Sequence, residues 1–256
     1  MIPKVIHYCW FGRKPLPELV KQCIESWKKY CPDYEIVQWN EENVDLECCD
    51  YVKEAYDAKK WAFVSDYVRL MIIYKYGGIY LDTDVELVNS LDNLILHKCF
   101  LGTESTGNIN TGVGFGAEKE NRIIKLLLEE YKNQHFYTKK NGYDKTPCPV
   151  RNTRAIKKIG YTPNKKNVWK VEDVAVFPEE YFSPINYETG ISNITKNTIS
   201  IHHYAASWHN QSEEKKIKIL RWCISSFGEK KGKKIADILS IPYRIKLKFE
   251  KILNKN

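Results

Sequence analysis

Asp82 and Asp84 end the run Gly77-Gly78-Ile79-Tyr80-Leu81-Asp82-Thr83-Asp84-Val85. The two carboxylates stand i, i+2 and follow directly on a short apolar strand. Oxygen ligands on a rigid strand end suit a hard divalent cation that also grips phosphate. Two aspartates at this spacing also make an ordinary solvated turn, so the flanking pattern must decide. Upstream, Trp61 to Tyr76 contains no Gly or Pro, and Val64, Val68, Met71 and Ile72 fall at helical steps of three and four. Gly77 and Gly78 stop that helix, because glycine accepts the left-handed conformation of a C-terminal cap. The unit therefore reads helix, tight turn, buried strand, carboxylate pair.

Asp66 and Arg69 lie i, i+3 on one face of that helix. An exposed pair of this kind contributes little to stability. One helix away from the Asp82–Asp84 strand, the same face can offer a carboxylate to sugar hydroxyls and a guanidinium to phosphate or hydroxyl.

The elements that must position these groups alternate. Lys4 to Trp10 reads as a buried strand, Glu18 to Tyr30 as a helix with Leu19, Cys23, Ile24 and Trp27 on one face, and Tyr34 to Trp39 as a second strand. That βαβ opening predicts a parallel sheet. Helices follow at Tyr51 to Ala58 and Trp61 to Tyr76, and Val85 to Val88 reads as a continuation of the Asp-x-Asp strand. Further strands are expected at Lys98 to Gly102, Gly112 to Ala117, Val174 to Pro178 and Thr198 to His203, with an amphipathic helix from Glu120 to Gln134. Asn141 to Asn167 is rich in Pro, Lys and Asn and reads as a variable region holding one short helix; from Ser212 onward the pattern is helical. The 256 residues allow one large domain with an appendage.

The chain is 13% aromatic, with 17 Tyr and 7 Trp, which fits stacking on sugars and bases as well as plain packing. The eight Cys show no C-x-x-C, no apolar run is long enough to span a bilayer, and Met1-Ile2-Pro3-Lys4 leads straight into a strand. The expectation is a cytoplasmic protein with reduced thiols. Net charge is +8, with much of the excess in Lys139 to Lys170 and after Lys215. Scattered lysines without aromatic-rich binding motifs argue against a nucleic-acid partner and leave anionic substrates and lipid.

Four motifs in one order then resemble a known family. Ile2-Pro3-Lys4-Val5-Ile6-His7-Tyr8-Cys9-Trp10-Phe11-Gly12, Ser65-Asp66-x-x-Arg69, Gly77-Gly78-x-Tyr80-x-Asp82-x-Asp84 and Ile201-His202-His203-Tyr204-Ala205-Ala206-Ser207-Trp208 resemble the family 32 glycosyltransferases, whose bacterial members act mostly in capsule and surface-polysaccharide synthesis and whose core motifs the clostridial glucosylating toxins share. The resemblance covers about residues 1–210 and implies an α/β, GT-A-like nucleotide-binding fold with a mixed, mostly parallel central sheet, a catalytic domain over 1–210 and a basic helical extension over 211–256. It implies a Mn²⁺ or Mg²⁺ cofactor, a UDP-sugar donor, a saccharide acceptor (lipid-linked in such pathways) and retention at the anomeric carbon.

Carried onto this chain, the resemblance implies that Trp10 stacks on uracil with Cys9 lending backbone contacts, and that Ser65 and Asp66 meet ribose and donor sugar. Arg69 holds a hydroxyl or phosphate, Tyr80 reaches the diphosphate, and Asp82, Thr83 and Asp84 form the Asp-x-Asp grip, with Asp84 ligating the metal directly and Asp82 the ribose and a metal-bound water. His203 is expected as a further metal ligand, ahead of His202. Ser207 and Trp208 close over the diphosphate, Trp208 donating its indole N–H to the leaving phosphate. Asp66, Arg69 and Trp208 are the candidate catalytic residues, and Asn110 and Thr111 the candidate acceptor residues unless they form a plain turn. His7 reads as a hydrogen-bonded core histidine.

Ser240 to Leu253 reads as a basic amphipathic helix with Ile241, Ile245, Phe249 and Ile252 on one face, suited either to an anionic membrane at the inner face of the cytoplasmic membrane or to packing on the catalytic domain. Three rival functions remain. An Asp-x-Asp phosphohydrolase wants Thr or Val where this chain has Glu86. A non-enzymatic basic membrane- or nucleic-acid-binding protein would bind no nucleotide through metal. A toxin-like effector would glycosylate a protein.

Overall fold

The computed structural model describes residues 1–163, 166–205 and 211–243, with 211–214 described by backbone alone. The chain forms two compact units: Met1–Pro184 with Asn193–His203, and Ile185–Ser192 with Tyr204–Asn256.

In the first unit, β1 (Val5–Cys9), α1 (Glu18–Tyr30) and β2 (Glu35–Trp39) form the expected βαβ opening of a parallel sheet, with Val5 opposite Glu35 and Cys9 opposite Trp39. Helices α2 (Asp50–Asp57) and α3 (Trp61–Tyr76) lead to β3 (Gly78–Tyr80), which pairs parallel to β1. Next come β4 (Val85–Leu87), β5 (Cys99–Gly102), β6 (Phe115–Ala117) and α4 (Arg122–Glu129). A small hairpin of β7 (Tyr137–Thr138) and β8 (Gly142–Tyr143) precedes α5 (Cys148–Lys157), β9 (Trp169–Val171), β10 (Val174–Phe177), α6 (Glu179–Phe182) and β11 (Ser200–His202). The second unit contains α7 (Gln211–Phe227) and α8 (Glu229–Leu239).

The central sheet has seven strands in the order β2-β1-β3-β6-β5-β10-β9. Strands β6 and β9 run against the other five, since β6 is antiparallel to both β3 and β5 and β9 is antiparallel to β10. The sheet is thus mixed and mostly parallel, an α/β architecture with the expected sense of its strands.

Side chains alternate across this sheet as the pleat demands. Tyr80, Cys99, Leu101, Phe115, Val174 and Val176 join the core under α2 to α5. Ile6, Tyr8, Ile79, Leu81, Phe100 and Phe177 join the core on the α1 side. Gly77 ends α3 at φ 71°, its N–H bonded to Ile73 O, as the sequence predicts. Gly78 follows at φ 102°, and a Cβ there would stand 2.8 Å from His7 Nε2 and 2.9 Å from Val5 O, so the close β1–β3 packing needs glycine.

Three local expectations change. Val85–Leu87 does not continue β3; it pairs antiparallel with β11 in a separate two-stranded ladder, because Asp82–Asp84 turn the chain out of the sheet, with Val85 N–H bonded to Asp82 O. Residues 112–114 lie outside β6, and α4 ends at Glu129 rather than near Gln134. Among the described residues the variable region does hold one helix, α5, which buries Arg151, Asn152 and Thr153 as well as Ala155 and Ile156, a point that matters for the site.

Candidate active site

The site gathers where β3 ends. Tyr80 ends β3 and Asp82 follows two residues beyond it. The Tyr80 hydroxyl donates to Asp82 Oδ1 at 3.1 Å. Arg69, 3% exposed, reaches from α3 and sets one Nη2 3.2 Å from Asp82 Oδ1 and 3.1 Å from Asp66 Oδ1. Its Nε–H donates to Ser65 O at 3.0 Å, and its guanidinium lies 5.1 Å from the centre of the Tyr80 ring. Arg69 is therefore a fixed hub between two carboxylates, which a flexible lysine could not be.

These charges shape each other. Burial pushes Asp66 up, with Arg69 opposing. Burial also lifts Asp82, to about 6, with Asp84 adding and Arg69 and His202 opposing. Burial would lower Arg69, but Asp82, Tyr80 and Asp66 outweigh it and hold the guanidinium charged. Cys9 lies beside this group, with Ser65, Tyr80 and Arg69 acting on its thiol, yet burial keeps it neutral, up to about 12.

Asp84 is met from β11. His202 stands opposite Val85 in the β4–β11 ladder and brings Nε2 to 3.1 Å from Asp84 Oδ1. Burial pulls His202 down, but Asp84 and Asp82 more than compensate, so the imidazole holds its proton more tightly than an exposed one. Asp82, Asp84 and His202 offer ligand atoms all within 4.8 Å of one another. Two carboxylates and an imidazole are a donor set for Mn²⁺ or Mg²⁺, so the residues fit the expected ion.

This corrects the expectation that His203 completes the set. Adjacent residues on a strand face opposite ways, and in this register the buried His202 faces Asp84. His203 faces outward, with Nε2 2.9 Å from Glu86 Oε2, while its backbone N–H bonds Asp84 O at 2.9 Å.

The Gly102–Gly114 connection forms the wall beside Asp82. Gly112 O accepts from Asp82 N–H at 3.2 Å, and Gly112 N–H donates to Asn110 Oδ1 at 2.8 Å. A Cβ on Gly112 would lie 2.3 Å from Asp82 Oδ2 and 3.1 Å from Arg69 Nη1, so only glycine fits against the carboxylate. Asn110 also donates to Glu104 Oε2 at 3.3 Å. Thr111 is fully buried and accepts from Asn152 Nδ2 at 3.1 Å. Its hydroxyl braces the loop, which removes it from the surface an acceptor would touch. Asn110, 9% exposed, stays at the edge of the cluster.

Sequence reasoning expected a short helix here but placed no site residue on it. Cys148, Arg151 and Asn152 follow helical steps of three and one, and all are buried. The Cys148 thiol donates to Asn110 Oδ1 at 3.7 Å and lies 4.0 Å from Arg69 Nη1. Arg151 packs its guanidinium over the Tyr131 and Tyr51 rings and pairs with Asp144. A polar helix face ordinarily means solvent, so nothing in the sequence marks this one as internal.

Other expected residues are placed as follows. Trp10 is half-buried beside Cys9, its indole N–H donating to Lys14 O at 2.6 Å. Thr83 is half-buried between the two aspartates. His7 is a core histidine as expected: Trp39 Nε1 donates to its Nδ1 at 3.0 Å, and its Nε2–H meets Gly77 O at 3.0 Å. Ser207 and Trp208 lie outside the described residues.

With this geometry in hand, comparison with known proteins gives the site its class. Residues 17–101 match the family model of the glycosyltransferase sugar-binding region containing DXD motif. This segment is of the DXD type. It includes Ser65, Asp66, Arg69, Tyr80, Asp82 and Asp84, and stops short of Asn110, α5 and His202. The chain is 36% identical over 146 residues to inositol phosphoceramide mannosyltransferase 3 of Schizosaccharomyces pombe, covering 53% of this chain and 40% of that one. It is 29% identical over 126 residues to lactosylceramide 4-alpha-galactosyltransferase of Rattus norvegicus, covering 49% and 32%. Among solved structures, the PaToxG glycosyltransferase superposes with a TM-score of 0.46 at 20% identity, over 62% of this chain and 70% of that one. The chain spans less than half the length of the curated relatives it matches.

Proposed function

We propose that this protein is a metal-dependent, retaining glycosyltransferase that moves a hexose or N-acetylhexosamine from a UDP-sugar to a saccharide acceptor. The observation that carries the reading is the Asp82–Asp84–His202 set beside the Arg69 hub, with both aspartates and Arg69 inside the segment that matches the DXD family model. Two of the relatives are named for inositol phosphoceramide and lactosylceramide, which supports an acceptor carried on a lipid. Eight free cysteines support a reducing, cytoplasmic location.

Asp82, Asp84 and His202 would hold the divalent ion, which when bound supplies positive charge to the sugar diphosphate. Arg69 stays charged beside them and adds a fixed positive group at the same end of β3. Its position costs no reorganisation, because Asp66, Asp82 and Ser65 O already anchor it. Tyr80 is spent on Asp82 Oδ1 and orients that carboxylate. Asp66, buried and paired to Arg69, is suited to hold sugar hydroxyls rather than to attack. We therefore favour front-face return: the acceptor oxygen bonds the anomeric carbon on the side from which the diphosphate departs, and a phosphate oxygen of that leaving group takes the acceptor's proton. A glycosyl adduct trapped on Asp66 would overturn this route.

The reading is tested by calorimetry of UDP, GDP and UDP-sugars with and without Mn²⁺, on wild type and Asp84→Ala. Mn²⁺-dependent UDP binding that vanishes in the variant supports it, and the tightest UDP-sugar names the donor. No nucleotide binding under any condition, or a preference for GDP, refutes it in whole or in its choice of base.

A further inference from the structure

The C-terminal end of the chain is strongly basic. Residues 211–256 hold 13 Lys and Arg against 5 Asp and Glu, a net +8 that equals the net charge of the entire chain, so residues 1–210 are balanced. Helices α7 and α8 pack together as a hairpin across Gly232, where a Cβ would meet Cys223 O at 2.5 Å. Cys223, Ile224, Gly232 and Ala236 fill the seam. Away from it, large apolar side chains stand in water: Trp222 is 57% exposed, Ile238 67%, and Phe227, Leu239 and Ile241 each close to half. Lys231, Lys234 and Ile238 follow steps of three and four, so cations and aliphatic groups share one face of α8, opposite Gly232 and Ala236.

We propose that this helical unit is a docking surface for an anionic lipid bilayer. A basic helical unit with exposed Trp and aliphatic side chains is the pattern of an element lying in a membrane interface, where rings and aliphatics enter the headgroup boundary and lysines meet lipid phosphates. The charge decides the partner. A second copy of this chain would bring cations against cations. Nucleic acid would match the charge but leave Ile238 and Leu239 without a role. Among the described residues no helix is long and apolar enough to cross a membrane, so the proposed contact is peripheral. It stands apart from the transferase reading, since it needs neither the metal ligands nor a donor.

The test is flotation of the full chain with phosphatidylcholine vesicles and with vesicles containing about one third phosphatidylserine or phosphatidylglycerol. Binding should be at least tenfold tighter to the anionic vesicles and fall steeply between low and high salt, as screening shortens the reach of the lysines. Trp222 emission, taken as the difference between wild type and Trp222→Phe, should shift to the blue. Charge reversal at Lys230→Glu, Lys231→Glu and Lys234→Glu should cost at least tenfold in affinity, and Ile238→Ser should weaken binding at every salt concentration. Circular dichroism on each variant establishes that the helices persist, and Asp84→Ala should bind vesicles like wild type. Equal affinity for neutral and anionic vesicles overturns the proposal. So do competition by DNA at matched phosphate concentration together with an unshifted Trp222, and a dimer in ultracentrifugation that buries Trp222 without lipid.

Discussion

Gly112→Ala is the most economical challenge to the site as described. The added methyl would start 2.3 Å from Asp82 Oδ2, whereas ordinary contact begins near 3.4 Å. The carboxylate oxygen must therefore retreat by about 1 Å, against the ±0.2 Å that metal coordination tolerates. The backbone cannot yield instead, because Gly112 N–H is tied to Asn110 Oδ1 and Gly112 O to the Asp82 N–H. The strain falls on one oxygen. Tyr80 and Arg69 both hold Oδ1, so the buried ion pair survives while Oδ2 turns away. Gly112 is not among the glycines at positive φ, so alanine adds no backbone penalty. Mn²⁺ affinity and Mn²⁺-dependent UDP affinity should fall on the order of 10–100-fold, about 1.4–2.8 kcal/mol, with a thermal midpoint shifted by only a few degrees. Titration of Mn²⁺ by electron paramagnetic resonance gives the first quantity and calorimetry the second. Wild-type metal affinity in a well-folded Gly112→Ala protein would refute the placement of Asp82 in the metal set.

The register of β11 makes a paired prediction: His202→Ala should lower Mn²⁺ affinity on the order of 10–100-fold and His203→Ala by less than about twofold, and the reverse ranking in the same titration would make His203 the ligand. His7 links stability to pH. Burial lowers it from 6.5 to about 4, so the unfolded chain takes up a proton between those values that the folded one refuses. Its stabilisation is complete above 6.5 and is lost as pH falls toward 4, an effect of about 3 kcal/mol. Urea unfolding at pH 7 and pH 4 should show that much more loss in wild type than in His7→Gln, whose amide can still meet Trp39 and Gly77; equal losses would exclude the linkage. Cys49 should alkylate first at neutral pH, because the Cys48 thiol beside it brings its own down to about 7, while burial holds Cys9 and Cys23 up at about 12. Mass spectrometry after brief iodoacetamide treatment reads the order, and labelling of Cys9 or Cys23 ahead of Cys49 would contradict it.

The local grammar of the chain was legible without coordinates. The βαβ opening, the helix of Trp61 to Tyr76, its Gly77 cap and the strand into Asp82 depend on periodicity and on glycine's backbone freedom, which are properties of neighbours in sequence. The order of four motifs then carried Asp66, Arg69, Tyr80, Asp82 and Asp84 together, and the structure bonds Asp66, Arg69, Tyr80 and Asp82 into one cluster with Asp84 beside Asp82. What sequence could not supply were facts of register and of packing between distant elements. Which histidine of His202-His203 meets Asp84 depends on how β11 pairs with β4, more than 100 residues earlier, and one step along a strand reverses every side chain. The Gly112 wall is a matter of about 1 Å between a loop and the carboxylate just beyond a strand end. The polar face of α5 reads as solvent-facing until tertiary contact sets Cys148 against Asn110 and Arg151 between two tyrosine rings. Sequence determines which chemistry the chain carries, because residue type and local spacing are written in it; tertiary structure alone decides which copies of that chemistry converge, because convergence is a property of long-range pairing and of the space left between packed elements.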